Sequence, residues 1–64
     1  MIIERLRKEL GWSRTDMQRE LEIPVRTLEK WEQGVRTPPI WAENLITKEL
    51  IRRLQERKEE NGTV

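Results

Sequence analysis

The sequence predicts an all-α protein, a small bundle of four helices of which the last is long. Three observations lead there. Apolar residues recur three and four positions apart instead of alternating, which is the period of a helix packed on one face. Gly11, Pro24, Gly34 and the Pro38-Pro39 pair stand between the periodic segments, where such residues close and open helices. After Pro39 no glycine or proline interrupts the chain until Gly62.

The first helix is expected over Ile2 to Leu10, with Ile2, Ile3, Leu6 and Leu10 on one face and Gly11 in the left-handed position that ends such helices. Trp12 and Met17 flank Ser13-Arg14-Thr15-Asp16. There Ser13 suits an N-cap, Asp16 can close a capping box, and the two apolar residues form a hydrophobic staple. The second helix then runs from Arg14 to about Leu21, burying Met17 and Leu21. Pro24 is favoured in a first turn, so a third helix starts there and ends near Gln33, with Gly34 beyond it. Thr37 and Pro38 read as the N-cap and first residue of a fourth helix reaching about Lys58, a rod of roughly 30 Å, followed by a fraying tail from Glu59 to Val64.

Length and composition narrow the function. With 64 residues and neither cysteine nor histidine, the chain forms one small domain without disulfides or a zinc staple, so oligomerisation is the remaining source of extra burial. No apolar run approaches the ~20 residues of a membrane span and no signal-peptide pattern opens the chain; a cytoplasmic protein is expected. There is no histidine for proton transfer, no thiol nucleophile and no glycine-rich phosphate loop, and the carboxylates interleave with Lys and Arg as on a solvated surface. An enzyme, a cofactor and a small-molecule substrate are therefore not expected. The net charge of +1 argues against a non-specific polycation, although a local basic patch matters more than the sum. Even residues 1–37 hold eight cations against seven anions.

Two eight-residue helices joined by a three-residue turn make a helix-turn-helix. The segment GWSRTDMQRELEIPVRTLEKWEQGVRTP resembles the phage-repressor (Cro-like, lambda-repressor-like) helix-turn-helix DNA-binding family. It has the Gly-apolar-Ser entry to the second helix, an apolar turn residue, a Thr and an apolar residue in the third helix, and a Trp-Glu-x-Gly close. The resemblance covers about residues 2–46. It implies sequence-specific binding of double-stranded DNA by a transcriptional regulator acting through operator occupancy. The family usually has a small Ala where this chain has Gln18 and a Gly where it has Glu22, so an altered angle between the second and third helices is expected. The alternative reading is a helical protein-interaction module, an adaptor or antitoxin-like component that does not read DNA.

On that resemblance the third helix enters the major groove. Arg26 and Lys30 are the first candidates for base contact, joined by Val25, Glu29 and Gln33; Glu29 can equally pair with Arg26. Ser13, Arg14 and Thr15 at the start of the second helix, with Thr27 in the third and Arg36 and Thr37 after it, are candidates for phosphate contact. Glu32 falls on the inward arc of its helix, between Leu28 and Val25 on a wheel of about 100° per residue, and so needs a cation; Arg7 is the expected partner. Trp12, Trp31 and Trp41 read as core fillers.

The last helix carries two apolar stripes. Trp41, Ala42, Leu45 and Ile46 cover an arc of about 140°, as expected for packing on the bundle. Leu50, Ile51 and Leu54 continue round to the other side. Either the helix bends near Thr47 and folds back on the first helix, or the second stripe packs on another chain. The uninterrupted sequence favours a homodimer contact through Leu50, Ile51 and Leu54, dividing the chain into a DNA-binding domain over 1–46 and an extension over 47–64.

Overall fold

The computed structural model describes the backbone of residues 1–62 and the side chains of residues 1–57. Within these residues it has four helices and no strand: α1 (Ile2–Glu9), α2 (Arg14–Leu21), α3 (Val25–Glu32) and α4 (Ile40–Gly62). The helix ends follow the local chemistry. Gly11 (φ 74) and Gly34 (φ 78) each close a Schellman motif. In the first, the Gly11 and Trp12 N–H groups donate to Lys8 and Arg7; in the second, those of Gly34 and Val35 donate to Trp31 and Lys30. Ser13 Oγ accepts from the Asp16 N–H at 3.0 Å while Asp16 Oδ2 accepts from the Ser13 N–H at 2.8 Å, a complete capping box. That backbone donor is the main reason the Asp16 carboxyl lies below its usual range.

Two starts differ from expectation. Pro24 is the N-cap of α3, one residue before the helix. Thr37 and Pro38 do not open α4; the helix begins at Ile40, and the Glu43 N–H donates to the Pro39 carbonyl. The second proline explains this, because a residue preceding proline is driven out of the helical region, and Pro38 precedes Pro39. α4 also continues four residues past Lys58, to Gly62; Thr63 and Val64 lie outside the described residues.

The core joins all four helices. Ile3, Leu6 and Leu10 of α1, Met17 of α2, Ile23 of the turn, Leu28 of α3 and Leu50 of α4 are buried, with Trp12, Leu21, Trp31, Ile46 and Leu54 packed around them. α1 lies on α4, and α2 on α3. This overturns the expected division of α4. Leu50 is fully buried by the chain's own core and so is not free to meet another chain, Leu54 is half-buried beside it, and Ile51 lies on the exposed side. Trp41 (69% exposed) and Leu45 (60%) instead face outward, and Trp41 is no core filler. One straight helix can turn only one arc to a small core, and Ile46, Leu50 and Leu54, spaced four apart, form the stripe that runs along α1. No bend near Thr47 is needed, because Trp41 and Leu45 of the first stripe are left out and only its Ile46 joins the packed one.

Arg53 straps α2 to α4. Its guanidinium meets Glu20 and Glu49, each at 2.8 Å, and lies 5.6 Å from the centre of the Trp12 ring. Arg52 holds Glu49 at 2.6 Å and also pairs with Glu56, and Arg57 Nη1 donates to the Leu10 carbonyl at 2.9 Å. No helix among the described residues is long and apolar enough to cross a membrane.

Hydrogen bonds from Arg52 and then Arg53 hold the Glu49 carboxyl down at about 2, against a usual 4.5. A carboxyl depressed in the folded state contributes stability that is complete above about 4.5 and lost as the pH falls towards 2. Thermal melts at stepped pH should therefore show Glu49→Gln less stable than the parent at neutral pH, the difference shrinking between these two values.

Candidate nucleic-acid interface

Both faces of α3 are set by its sequence. Leu28 is fully buried and Trp31 packs on the core, which turns Arg26, Lys30 and Gln33 outward as exposed residues, with Val25, Thr27 and Glu29 half-buried at the margins. The Glu32 side chain is only 2% exposed. It is held by two arginines from two other helices. Arg7 of α1 donates from Nε to Oε2 at 3.0 Å and from Nη2 to Oε1 at 3.2 Å; Arg14 of α2 donates from Nε to Oε1 at 3.0 Å. The remaining Arg7 Nη1 donates to the Trp12 carbonyl at 2.9 Å. A carboxylate taken out of water is tolerable only with charged donors on both oxygens, and here both have them.

This arrangement revises the part assigned to Arg14. It is not an uncommitted cation at the start of α2, since its guanidinium is drawn to Glu32, although its side chain stays 42% exposed. Ser13 and Asp16 occupy each other in the capping box, so an incoming anion at that helix end would compete with the Asp16 carboxylate. Thr15 is exposed and unengaged among the described residues.

On the other side of α3 the structure gathers several of the sequence candidates. Thr27, Lys30, Arg36 and Thr37, with Trp31 and Pro39, line one shallow concavity between the helix and the loop that follows it. The Schellman motif at Gly34 produces this, because it folds the chain back so that the Val35 and Arg36 N–H groups both reach the Lys30 carbonyl, at 2.9 and 3.2 Å. Two cations and two hydroxyls thus line one hollow, a side-chain chemistry that suits an anion such as a backbone phosphate.

A helix, a tight turn and a second helix with an outward polar face, braced from behind by a third, form the motif that the sequence resembled. A family model described as helix-turn-helix matches residues 3–40, more than half of the chain. The chain belongs to this helix-turn-helix family. Membership gives the protein a DNA-binding, transcription-regulator type of role in general terms, in a family that is regulatory and not typically enzymatic. No curated protein and no solved structure gives a significant match.

Within this helix-turn-helix protein, Val25, Arg26, Glu29, Lys30 and Gln33 sit on the outer surface and margin of α3, and Glu29 makes no ion pair with Arg26. Ser13, Arg14 and Thr15 lie on the α2 side, apart from the group formed by Thr27, Arg36 and Thr37. Sequence reasoning missed two things. The second arginine on Glu32 carried no signal of its own, since Arg14 looked like any cation in a first turn. Gln18 departs from the family's usual Ala, but nothing in the sequence signals its bond from the Val25 N–H.

Replacing Arg7 by Met should destabilise the fold by about 3 kcal/mol, the low end for breaking a buried pair because Arg14 stays on Glu32. Arg7→Met combined with Glu32→Leu should recover much of that loss. Urea melts of the double-mutant cycle check this, with additive losses as the contrary outcome.

Proposed function

We propose that the protein is a sequence-specific double-stranded DNA-binding regulator that acts by occupying an operator. Helix α3 lies in the major groove, with Arg26 reading a guanine edge through its guanidinium fork and Lys30 one turn on. Val25, Glu29 and Gln33 complete the base-facing set. Thr27, Arg36 and Thr37 clamp a phosphate in their shared hollow. Ser13, Arg14 and Thr15 lie along the backbone on the other side, Arg14 with whatever donors Glu32 leaves it.

One observation carries this reading. Arg7, Lys8, Arg14, Arg19, Arg52 and Arg53 are all paired with carboxylates. Arg26, Lys30 and Arg36 have no such partner among the described residues, and all three belong to α3 and its following loop. Arg5 on α1 and Lys48 on α4 also lack one there, but they lie on separate helices, and Arg57 is taken up by the Leu10 carbonyl. A chain of net charge +1 thereby presents a local cationic surface on the element that a duplex would meet.

The regulator works as a homodimer, so that two copies of α3 reach half-sites about 34 Å apart, one turn of DNA. The surface for this is the exposed face of the first half of α4, where Trp41 and Leu45 stand one turn apart beside Ile40 (80% exposed). Large apolar side chains grouped on a small monomer are the usual mark of a contact surface. The same face favours the second reading, an interaction module whose partner is a protein and not DNA.

Selection from a random duplex library followed by salt titration tests the function. Arg26→Ala should lose about 1–3 kcal/mol of base discrimination with the fold intact. Arg36→Ala should weaken binding to all duplexes alike and lower the salt slope by about one. A parent chain that selects no sequence would sink the DNA-reading function and leave the interaction module.

For the dimer, sedimentation equilibrium of Trp41→Glu with Leu45→Glu should give a monomer with unchanged helix content and weaker operator binding. A parent that stays monomeric at tens of micromolar, roughly where weak dimers form, would remove the dimer contact.

A further inference from the structure

Gln18 is exposed and contributes nothing to the core, yet it brackets the turn between α2 and α3 from both sides. Its main-chain carbonyl accepts the Glu22 N–H at 2.9 Å, closing α2. Its side-chain Oε1 accepts the Val25 N–H at 3.1 Å, opening α3. We propose that Gln18 is a positioning residue for base recognition, holding the first turn of α3 and so setting the angle at which Arg26 and Lys30 meet a duplex. This rests on the DNA-reading function proposed above.

Three features of the turn make the role specific. α3 has no cap of its own, because Pro24 occupies the N-cap position and has no side-chain oxygen to accept from the helix. Glu22 sits in the left-handed region at φ 59 without being glycine, a conformation that the surroundings must enforce. The two ends of α3 are also held unequally. Its C-terminal end is fixed by Glu32 on two arginines and by the Schellman motif at Gly34. Its N-terminal end has Leu28 and Ile23 in the core below it and the Gln18 bond at its tip. An eight-residue helix is about 12 Å long, so a tilt of about 10° about the fixed end moves Arg26 by ~2 Å, enough to spoil a bidentate base contact.

The test uses two variants of similar shape. Gln18→Met keeps the length and removes the acceptor; Gln18→Glu keeps the acceptor, with a charge that the helix N-terminus favours. Amide exchange at Val25, read by NMR in the free protein, should quicken by roughly threefold to tenfold in Gln18→Met and return to the parent rate in Gln18→Glu. The ratio of affinities for the selected duplex and a scrambled one should fall on the order of tenfold in Gln18→Met. In Gln18→Glu the ratio should be retained, while the added charge weakens both affinities together. Unchanged exchange at Val25 in Gln18→Met overturns the role, as does quickened exchange with the ratio intact. If the parent prefers no sequence, the DNA-reading function has failed, and the Val25 exchange still decides by itself whether Gln18 holds the turn.

Discussion

The carboxylate of Glu32 is the constraint on which the rest of the structure depends. It joins α1 through Arg7, α2 through Arg14 and α3 through its own backbone, and Arg7 reaches on to the Trp12 carbonyl that leads into α2. Desolvating such a group costs several kcal/mol, which the surrounding guanidiniums do little more than offset. Its effect is on uniqueness. A core of seven buried apolar side chains, all of them aliphatic or methionine, leaves helices free to slide by a turn; a carboxylate that must find two guanidiniums does not.

The polar contacts elsewhere extend the same logic to a chain with little to bury. Leu50 is the one buried apolar residue that α4 gives the core, and around it Arg53 and Arg57 tie the helix to Glu20, Trp12 and the open carbonyl end of α1. Exposed pairs contribute little singly, and those of Glu49 with Arg52 and Arg53 lie within α4; the Arg53–Glu20 pair and the Arg57 bond to the Leu10 carbonyl are the ones that hold the rotation of α4 against α2 and α1. That rotation leaves Trp41 and Leu45 outside.

The same distribution of partners shapes the candidate interface. Among the described residues, carboxylates pair with Arg7, Arg14, Arg19, Arg52 and Arg53 behind and beside α3, while Arg26, Lys30 and Arg36 on α3 and its loop have no such partner, so the near-zero net charge is unevenly distributed. The stiffness of that surface is uneven. Glu32 and Gly34 hold one end of α3 firmly, while the other is reached by a single side chain from α2.

The sequence by itself determined what is local. The capping box of Ser13 and Asp16, the glycine closures at 11 and 34 and the stop at Pro24 depend on neighbours within a few residues, so the first three helices were legible to within a residue. Glu32 was legible as an inward charge from the wheel alone, and Arg7 stood on the facing edge of α1. The order of apolar turn residue, Thr and Trp-Glu-x-Gly was enough to show the resemblance to the helix-turn-helix family. Tertiary structure decided whatever required comparing distant segments. The sequence pointed to Trp41 and Leu45 as the stripe packed on the bundle, and only the direction in which the loop delivers the helix to α1 selected Leu50 over Trp41. Arg14 and Arg53 looked like surface cations until folding brought Glu32 and Glu20 beside them. The reach of Gln18 across a turn to Val25 likewise depends on a chain reversal that periodicity does not encode, because a helical wheel describes one helix and a cap supplied by another helix lies outside it.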